Sequence, residues 1–400
     1  MPAAMQDDGR IHGMDNLRAL AMLAGVVFHA ALAYSPLMQP IWPAADGASS
    51  VVVDAFAWFL HLFRMPLFFA IAGYFAALLV ARRGMAGLFA NRCRRVLLPL
   101  LLLAPPILVT MSWLTEHAAV TAIQPSPALA WIRSYLARNG HVPLLSGWAH
   151  LWFLFYLMLF TVLVWVASAL EAGRIGRRLA SLPASALVVG LPLLLTPALA
   201  LVGTPWPAPD FFIPSLWALA FFGLYFAFGY QLFLHGELLD RLRPFSPLLP
   251  AGAVVAHAVL FLATDGYTAT SPSAAQQGWN AWLQACAGAW MTLWCLLAAK
   301  RWLAARNAIM RWLADGSYWV YLVHLPVLLA IQYRLLDVPM HWSAKFAISV
   351  AATFLLSFAS YQWLVRHTVI GRLLNGQLPP APAPGATAGR QRRGSSPGPA

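Results

Sequence analysis

Ten stretches of about twenty mostly apolar residues dominate this chain of 400 residues and limit the folds open to it. Hydrophobic residues make up 60% of the sequence, charged residues only 10%, and the mean hydropathy is +0.67. A water-soluble domain does not tolerate this composition, whereas a helix of about 20 apolar residues spans the hydrocarbon core of a bilayer. We therefore expect an all-α, polytopic membrane protein with about ten transmembrane helices. The apolar runs lie at residues 17–34, 54–80, 96–114, 148–170, 184–202, 211–234, 247–264, 279–299, 317–335 and 343–364.

Basic residues alternate sharply between the segments that join these runs. The chain has 26 Lys and Arg residues and a formal net charge of +13. Most of them fall on the side that holds both termini, and the opposite segments hold only Arg133, Arg138, Arg334 and Lys345. Because basic loops stay in the cytoplasm, both termini are predicted to be cytoplasmic. The bilayer and its orientation rule explain the charge excess, and no nucleic-acid partner is expected.

The first apolar run admits a second interpretation, as a secretory signal. Ala31-Leu32-Ala33 has the small-x-small form of a cleavage site. His29 just before that site, Asp15 in the charged flank and the many later apolar runs favour an uncleaved first span.

The last part of the chain differs in composition from the rest. Residues 376–400 are rich in Pro, Gly, Ser and Ala and carry a basic cluster, which predicts a disordered cytoplasmic tail after a membrane domain at residues 1–375. Two predicted outer segments, 35–53 and 115–147, are long enough to form an extracytoplasmic rim.

The first run places ionisable residues on one stripe of an apolar helix. At about 100° per residue, Asp15, Arg18, Met22, Gly25 and His29 fall within about 80° of one another. Arg18 and His29 are eleven residues apart, or roughly 16 Å along the axis. If Arg18 marks one membrane surface, His29 lies near mid-bilayer, where an ionisable group indicates function.

The second run carries an arginine at a similar depth. Arg64 follows Asp54 by ten residues, about 15 Å. A central arginine costs at least about 2.5 to 3.5 kcal/mol on insertion scales, so it must face protein, water or a bound anion. Two interpretations are open: a structural arginine held by carbonyl groups that Pro66 releases, or a group that polarises substrate or fixes the active helix pair.

Arg92 and Arg95 form an R-x-x-R pair at the start of the third run. Their spacing places both on one helix face at the cytoplasmic surface, where they would suit a phosphate-bearing ligand. The alternative is an ordinary cluster of positively charged cytoplasmic residues.

Three further polar residues are candidates for substrate contact. His150 opens the fourth run, and Tyr321 and His324 lie three residues apart on the ninth. An interfacial histidine, core packing of the tyrosine and a hydrogen-bonded buried histidine are the structural alternatives. We expect His61 and His257 to be structural.

This set of residues fits two kinds of chemistry. A neutral imidazole can act as a general base toward a hydroxyl, and Arg64 could stabilise a developing oxyanion. No serine lies in a G-x-S-x-G elbow, and the three cysteines predict neither a disulfide framework nor a metal site. Acyl transfer from a cytoplasmic donor is therefore coherent, with His29, Arg18, Arg64 and Asp15 as candidate catalytic residues. A proton-coupled transporter remains open, because intramembrane His and Arg also build proton relays.

The order of these motifs resembles the acyltransferase-3 family of integral membrane O-acyltransferases, over nearly the whole chain to about residue 375. Arg18 and His29, with ten residues between them, are similar to the R-x10-H signature of that family. One departure is Ala72, where many members have serine. The other similar blocks are residues 63–69, 72–75, 92–95, 150–154 and 321–326.

The resemblance implies transfer from cytoplasmic acyl-CoA to a hydroxyl of an extracytoplasmic glycan, in the bacterial inner membrane. His29 would be the essential histidine, Arg18 would support it, and Arg92 and Arg95 would lie on the donor side. No bound cofactor is implied, since acyl-CoA is a substrate. The most similar branch is the one that adds groups such as succinyl to periplasmic glucans.

Overall fold

The computed structural model describes residues 12–142, 147–169, 181–267, 272–305 and 307–375, and these residues are almost entirely helical. Within them the one strand-like pairing is an isolated bridge between Gly147 and Phe211. The all-α prediction is thus confirmed for the described residues, and the predicted tail at 376–400 lies outside them. The α-helices are α1 (His12–Ala31), α2 (Val51–Arg92), α3 (Leu98–Thr121), α4 (Pro127–Asn139), α5 (Trp152–Ala169), α6 (Ala184–Leu199), α7 (Leu216–Leu234), α8 (Leu238–Leu242), α9 (Leu248–Ala263), α10 (Ala274–Trp302), α11 (Ala308–Leu335), α12 (Trp342–Ser360) and α13 (Val369–Asn375).

The described residues contain seven helical segments long and apolar enough to cross a membrane. An eighth is added if the bent pair Leu238–Phe245 and Leu248–Ala263, which meet at 66°, forms one span. The predicted count of ten is therefore not confirmed. The predicted second and third runs lie in one helical segment, Val51–Thr121. The predicted fifth run forms α6, which has only 16 residues.

That long segment is interrupted at two points. Gly84 has φ of 67° and ψ of −179°, so α2 consists of two helices that meet at a kink. A positive φ of this kind is open to glycine at little cost. Residues Cys93–Leu97 then form a π-helical turn before α3 begins. The kink and the turn bring Arg92 and Arg95 to the same end of the bundle as the start of α1.

Helix α1 lies inside the bundle. It packs against α2, α10, α11 and α12, and Ala19, Val26 and Ala30 have no exposed surface. The polar stripe of α1 consequently faces protein on several sides, which places His29 in the interior.

Helices α2 and α7 approach each other so closely that side chains are excluded between them. A Cβ atom on Gly73 would overlap the carbonyl oxygen of Phe226, and one on Gly229 would overlap that of Ala70. Small residues allow this kind of backbone contact between membrane helices. Gly73 belongs to the sequence block at residues 72–75, and this contact gives a physical reason for glycine there.

Replacing Gly73 with alanine is therefore expected to force α2 and α7 apart. Overpacking of this kind costs about 1–3 kcal/mol, so the thermal unfolding midpoint of the purified protein should fall. Gly190→Ala on α6 is the matched control, since its Cβ would meet no atom within 4 Å. An unchanged midpoint for Gly73→Ala would contradict the close packing.

Candidate active site

A small buried cavity of about 50 Å³ lies between α1, α2, the start of α5 and α11. It brings together five residues that the sequence analysis named as site candidates from separate segments: His29, Arg64, His150, Tyr321 and His324. The sequence placed His29 and Arg64 at similar depth, and both line the cavity. The remaining lining residues are Met22, Gly25, Phe28, His61, Met65, Phe68, Trp152, Phe153 and Ala208.

His29 is held from two directions. Its Nδ1 atom lies 2.9 Å from the carbonyl oxygen of Gly25, one turn earlier on α1, and 3.1 Å from Nε2 of His324 on α11. The backbone contact fixes the ring from its own helix, and the histidine contact fixes it from a helix 295 residues away in the chain.

The hydrogen bonds around His324 determine which nitrogen of His29 is free. The Nδ1 atom of His324 lies 2.7 Å from the carbonyl oxygen of Tyr321. Because a carbonyl only accepts, this Nδ1 carries the proton, and Nε2 of the neutral ring is an acceptor. Nδ1 of His29 then donates to that acceptor and to Gly25. The Nε2 lone pair of His29 is left for a substrate proton.

His150 and Tyr321 brace this pair. The Tyr321 hydroxyl donates to the carbonyl oxygen of His150 at 2.8 Å, and His150 Nε2 donates to the carbonyl oxygen of Leu322 at 3.0 Å. The His150 ring lies edge-on to His324, with centroids 5.0 Å apart. Nδ1 of His150 is buried without a partner. The turn before α5 is thereby fixed to the segment of α11 that orients His29.

Arg64 is a buried charge that lacks a counter-ion among the described residues. It is 7% exposed, its Nε atom has no partner, and it makes neither an ion pair nor a hydrogen bond with the described chain. Its guanidinium carbon lies 4.9 Å from the centre of the Phe28 ring. The carbonyl oxygen of Leu62, which Pro66 leaves without its helical N–H donor, faces Gly288 on α10 and does not bind Arg64. An isolated buried charge is costly, so this site favours an oxygen-bearing ligand.

Gly25 leaves room for that guanidinium. A Cβ atom on Gly25 would lie 2.9 Å from Nη1 of Arg64. We expect Gly25→Ala to displace the end of the flexible Arg64 side chain, without unfolding the protein, and to lower kcat by about 10- to 100-fold. The measurement is the steady-state rate of the acyl transfer that the resemblance implies, beside the thermal midpoint, with Gly190→Ala as control. Unchanged kcat would show that the position of Arg64 is unimportant.

Asp15 and Arg18 do not line the cavity. They form an ion pair of 3.2 Å at the other end of α1, and Arg18 lies over the Phe75 ring at 5.6 Å. The sequence suggested a carboxylate and a guanidinium acting with His29 on one helix. The structure instead gives His29 a histidine partner, because the stripe they share is too long for Asp15 to reach the imidazole.

Arg92 and Arg95 form a basic cluster with Arg18 outside the cavity. Arg92 donates to the carbonyl oxygen of Ala72 at 3.3 Å, and the Tyr318 hydroxyl donates to the carbonyl oxygen of Arg95 at 2.8 Å. All three arginines interact electrostatically with Tyr318. At position 72, where many members of the resembling family have serine, the contact uses the backbone carbonyl and needs no hydroxyl.

The sequence did not indicate one neighbour of His29 and one further residue of the cavity wall. Trp42, in the loop between α1 and α2 (residues 35–50, the α1–α2 loop), stacks over the His29 ring with centroids 6.4 Å apart. His61 lines the cavity, although it also donates to the carbonyl oxygen of Trp206 at 2.9 Å, as expected of a structural histidine. His257 contacts the carbonyl oxygen of Ala55 at 2.9 Å and does not reach the cavity. Trp42 lies between prolines in the predicted outer segment 35–53, but nothing in the sequence indicated its contact with His29.

Comparison with known proteins identifies the family. A family model described as an acyltransferase domain matches residues 11–362. Glucans biosynthesis protein C of Salmonella schwarzengrund is 27% identical over 337 residues, covering 80% of this chain and 83% of the relative. The proteins of the same name from Salmonella typhi and Salmonella paratyphi A are 27% and 26% identical over equal lengths. No solved structure shows significant similarity. The match spans nearly the whole chain and therefore favours acyl transfer over proton-coupled transport. The chain belongs to the acyltransferase-3 family and is a polytopic, acyl-transferring membrane enzyme.

Proposed function

We propose that this enzyme moves an acetyl or succinyl group from cytoplasmic acyl-CoA to a hydroxyl of an extracytoplasmic glycan such as a periplasmic glucan. The observation that carries the proposal is the presence, in one buried cavity, of His29 with a free Nε2 lone pair and of Arg64, which has no counter-ion among the described residues. A general base and an oxyanion-stabilising group are the two parts that acyl transfer to a hydroxyl requires.

The residues support a simple sequence of steps. Nε2 of His29 takes the proton of the acceptor hydroxyl as its oxygen attacks the thioester carbonyl. Negative charge develops on the carbonyl oxygen, where the Arg64 guanidinium stabilises it. The C–S bond then breaks, and the thiolate takes the proton back from His29 as it leaves. His324 is the positioning residue that keeps the Nδ1 proton of His29 in place throughout.

The cavity restricts the acyl group. Its small volume of about 50 Å³ supports a short acyl group over a long fatty acyl chain. A succinyl group would also offer a terminal carboxylate, which Arg64 could pair with. The name of these relatives, glucans biosynthesis protein C, supports a glucan as the acceptor.

The basic cluster of Arg18, Arg92 and Arg95 supports a donor site at the opposite end of α1, roughly 16 Å from His29 along the helix. Guanidinium groups suit the phosphates of acyl-CoA, which binds here as a substrate and not as a resident cofactor. Arg64 would then receive the acyl end of the same molecule.

We further propose ten crossings of a bacterial inner membrane with both termini in the cytoplasm. Segment Val51–Thr121 would cross twice about its kink and π-helical turn, and the short helix α6 would cross once. The distribution of basic residues supports this orientation. It places the R-x-x-R pair on the cytoplasmic side and the α1–α2 loop outside.

The test is mass spectrometry of periplasmic glucans and envelope polysaccharides. Cells with the intact gene, a deletion, and His29→Ala at matched membrane abundance are compared. A defined acyl mass present only with the intact protein is the expected result, and its value identifies the acyl group. Identical glycan profiles in all three strains would refute the glycan acceptor.

A further inference from the structure

A polar cleft of about 490 Å³ opens at the His29 end of the bundle, separate from the cavity that holds the histidines. Three segments form its walls: the α1–α2 loop, residues 124–127 before α4, and residues 336–340 between α11 and α12. It shares no lining residue with the active-site cavity. Its polar side chains are Gln39, Asp46, Gln124, Ser126, Asp337 and Lys345.

A buried ion pair forms the floor of this cleft. Lys345 is 4% exposed, and its Nζ atom donates to Oδ2 of Asp46 at 2.6 Å and to the carbonyl oxygen of Leu336 at 3.2 Å. An ammonium group has three donors, and no described residue takes the third. The cleft thus contains the deeply buried ammonium group of Lys345, one of whose N–H donors has no partner among the described residues.

The walls are tied to one another, so the cleft is preformed. The Asp337 carboxylate accepts the backbone N–H groups of Ile123 at 3.0 Å and Gln124 at 2.8 Å. The Ser126 hydroxyl donates to the carbonyl oxygen of Pro43 at 2.6 Å. These bonds join the loops from α1, α3 and α11 without using the Gln124 side chain or the third donor of Lys345.

One segment connects the cleft to the catalytic histidine. The α1–α2 loop carries Asp46 in the cleft and, four residues earlier, Trp42 over the His29 ring. The loop is anchored to the end of α1, where the Asp46 N–H donates to the carbonyl oxygen of Ala33 at 2.8 Å. A ligand in the cleft therefore lies against the segment that covers His29.

The chemistry of the cleft suits a neutral ligand rich in hydroxyl groups. Carboxylates and amide oxygens accept hydroxyl protons, while Lys345 and the amide nitrogens donate. Two carboxylates against one ammonium would repel a polyanion. Resting on the proposed function, we propose that this cleft binds sugar units of the acceptor glycan next to the unit whose hydroxyl reaches His29.

Gly47 allows this cleft to be filled without disturbing its walls. It lines the cleft, and a Cβ atom there would meet no atom within 4 Å. Gly47→Trp should therefore place an indole in the ligand space while leaving the Lys345–Asp46 pair intact. Gly203→Trp is the matched control, because Gly203 is exposed, equally open and outside the cleft.

The experiment is calorimetric titration of a short linear oligoglucan into the full-length protein in lipid nanodiscs. We expect Gly47→Trp to raise Kd at least about tenfold, with Gly203→Trp and the thermal midpoint of both variants unchanged. Equal Kd for Gly47→Trp and wild type, or no oligoglucan binding by wild type, would overturn the cleft assignment.

A parallel transfer assay separates this proposal from the proposed function. If the wild-type protein binds the oligoglucan but transfers no acyl group to it, the proposed acceptor is refuted. The binding of sugar units in the cleft is then still supported. Equal rates of transfer to the oligoglucan by wild type and Gly47→Trp would support the proposed acyl transfer. They would refute the binding of sugar units in the cleft.

Discussion

Replacing His29 with alanine is expected to lower kcat for acyl transfer by about 10²- to 10⁴-fold. The hydrogen-bond order around His324 leaves the Nε2 lone pair of His29 free, and His29 lines the cavity. Loss of a general base lowers rates by about 10²- to 10⁴-fold, so kcat should fall by that factor. The assay is release of free thiol from an acyl-CoA donor by purified protein in nanodiscs with an oligoglucan acceptor.

The matched control is His117→Ala, since His117 is an exposed histidine that stacks on Trp113 and lies outside the cavity. It should retain wild-type kcat. Membrane abundance and thermal midpoint are measured for both variants, so that loss of folded protein is separated from loss of chemistry. A His29→Ala protein that folds and turns over within about tenfold of wild type would rule out His29 as the general base.

The second large effect is expected from Arg64→Met, which keeps much of the side-chain length and removes the charge. Removing one oxyanion-stabilising donor typically lowers kcat by about 10²- to 10³-fold. The folded protein should tolerate this change, and even gain stability, because the guanidinium is buried without a counter-ion among the described residues. The measurements are kcat with acetyl-CoA and succinyl-CoA, together with the thermal midpoint.

The two donors make this result informative about the role of Arg64. Equal losses with both donors are expected if the guanidinium acts on the carbonyl oxygen that they share. A larger loss with succinyl-CoA would assign it to the terminal carboxylate instead. Arg334→Gln, at an exposed arginine outside the cavity, is the control and should leave both rates unchanged. Full activity of Arg64→Met with either donor would remove Arg64 from the mechanism.

The sequence by itself determined the helical class and the residues worth examining. Apolar runs of spanning length allow only helices or closed barrels in a bilayer, and backbone hydrogen bonding then fixes the local structure. An ionisable residue in such a run is costly enough to stand out without any structural information. His29, Arg64 and His324 were found in this way, and the similar depth of His29 and Arg64 followed from helical rise alone.

Hydropathy did not predict the helical segments of spanning length, because it measures composition and does not detect where a helix continues or bends. The segment Val51–Thr121 reads as two apolar runs, yet its backbone is helical throughout apart from one kink and one π-helical turn. Local hydrogen bonding across the polar stretch between the runs, and a positive φ at Gly84, decide its path.

Only the tertiary structure decided which polar groups act together. Asp15 shares a stripe with His29, but fourteen residues of helical rise, about 21 Å, separate them, whereas His324 is 295 residues away and lies 3.1 Å from His29. Packing between helices likewise places Trp42 over His29 and builds the cleft around Lys345 and Asp46. It also leaves Arg64 without a counter-ion among the residues that the structure describes. Helical periodicity orders residues within one helix, but contacts between helices depend on how the side chains of the whole bundle pack.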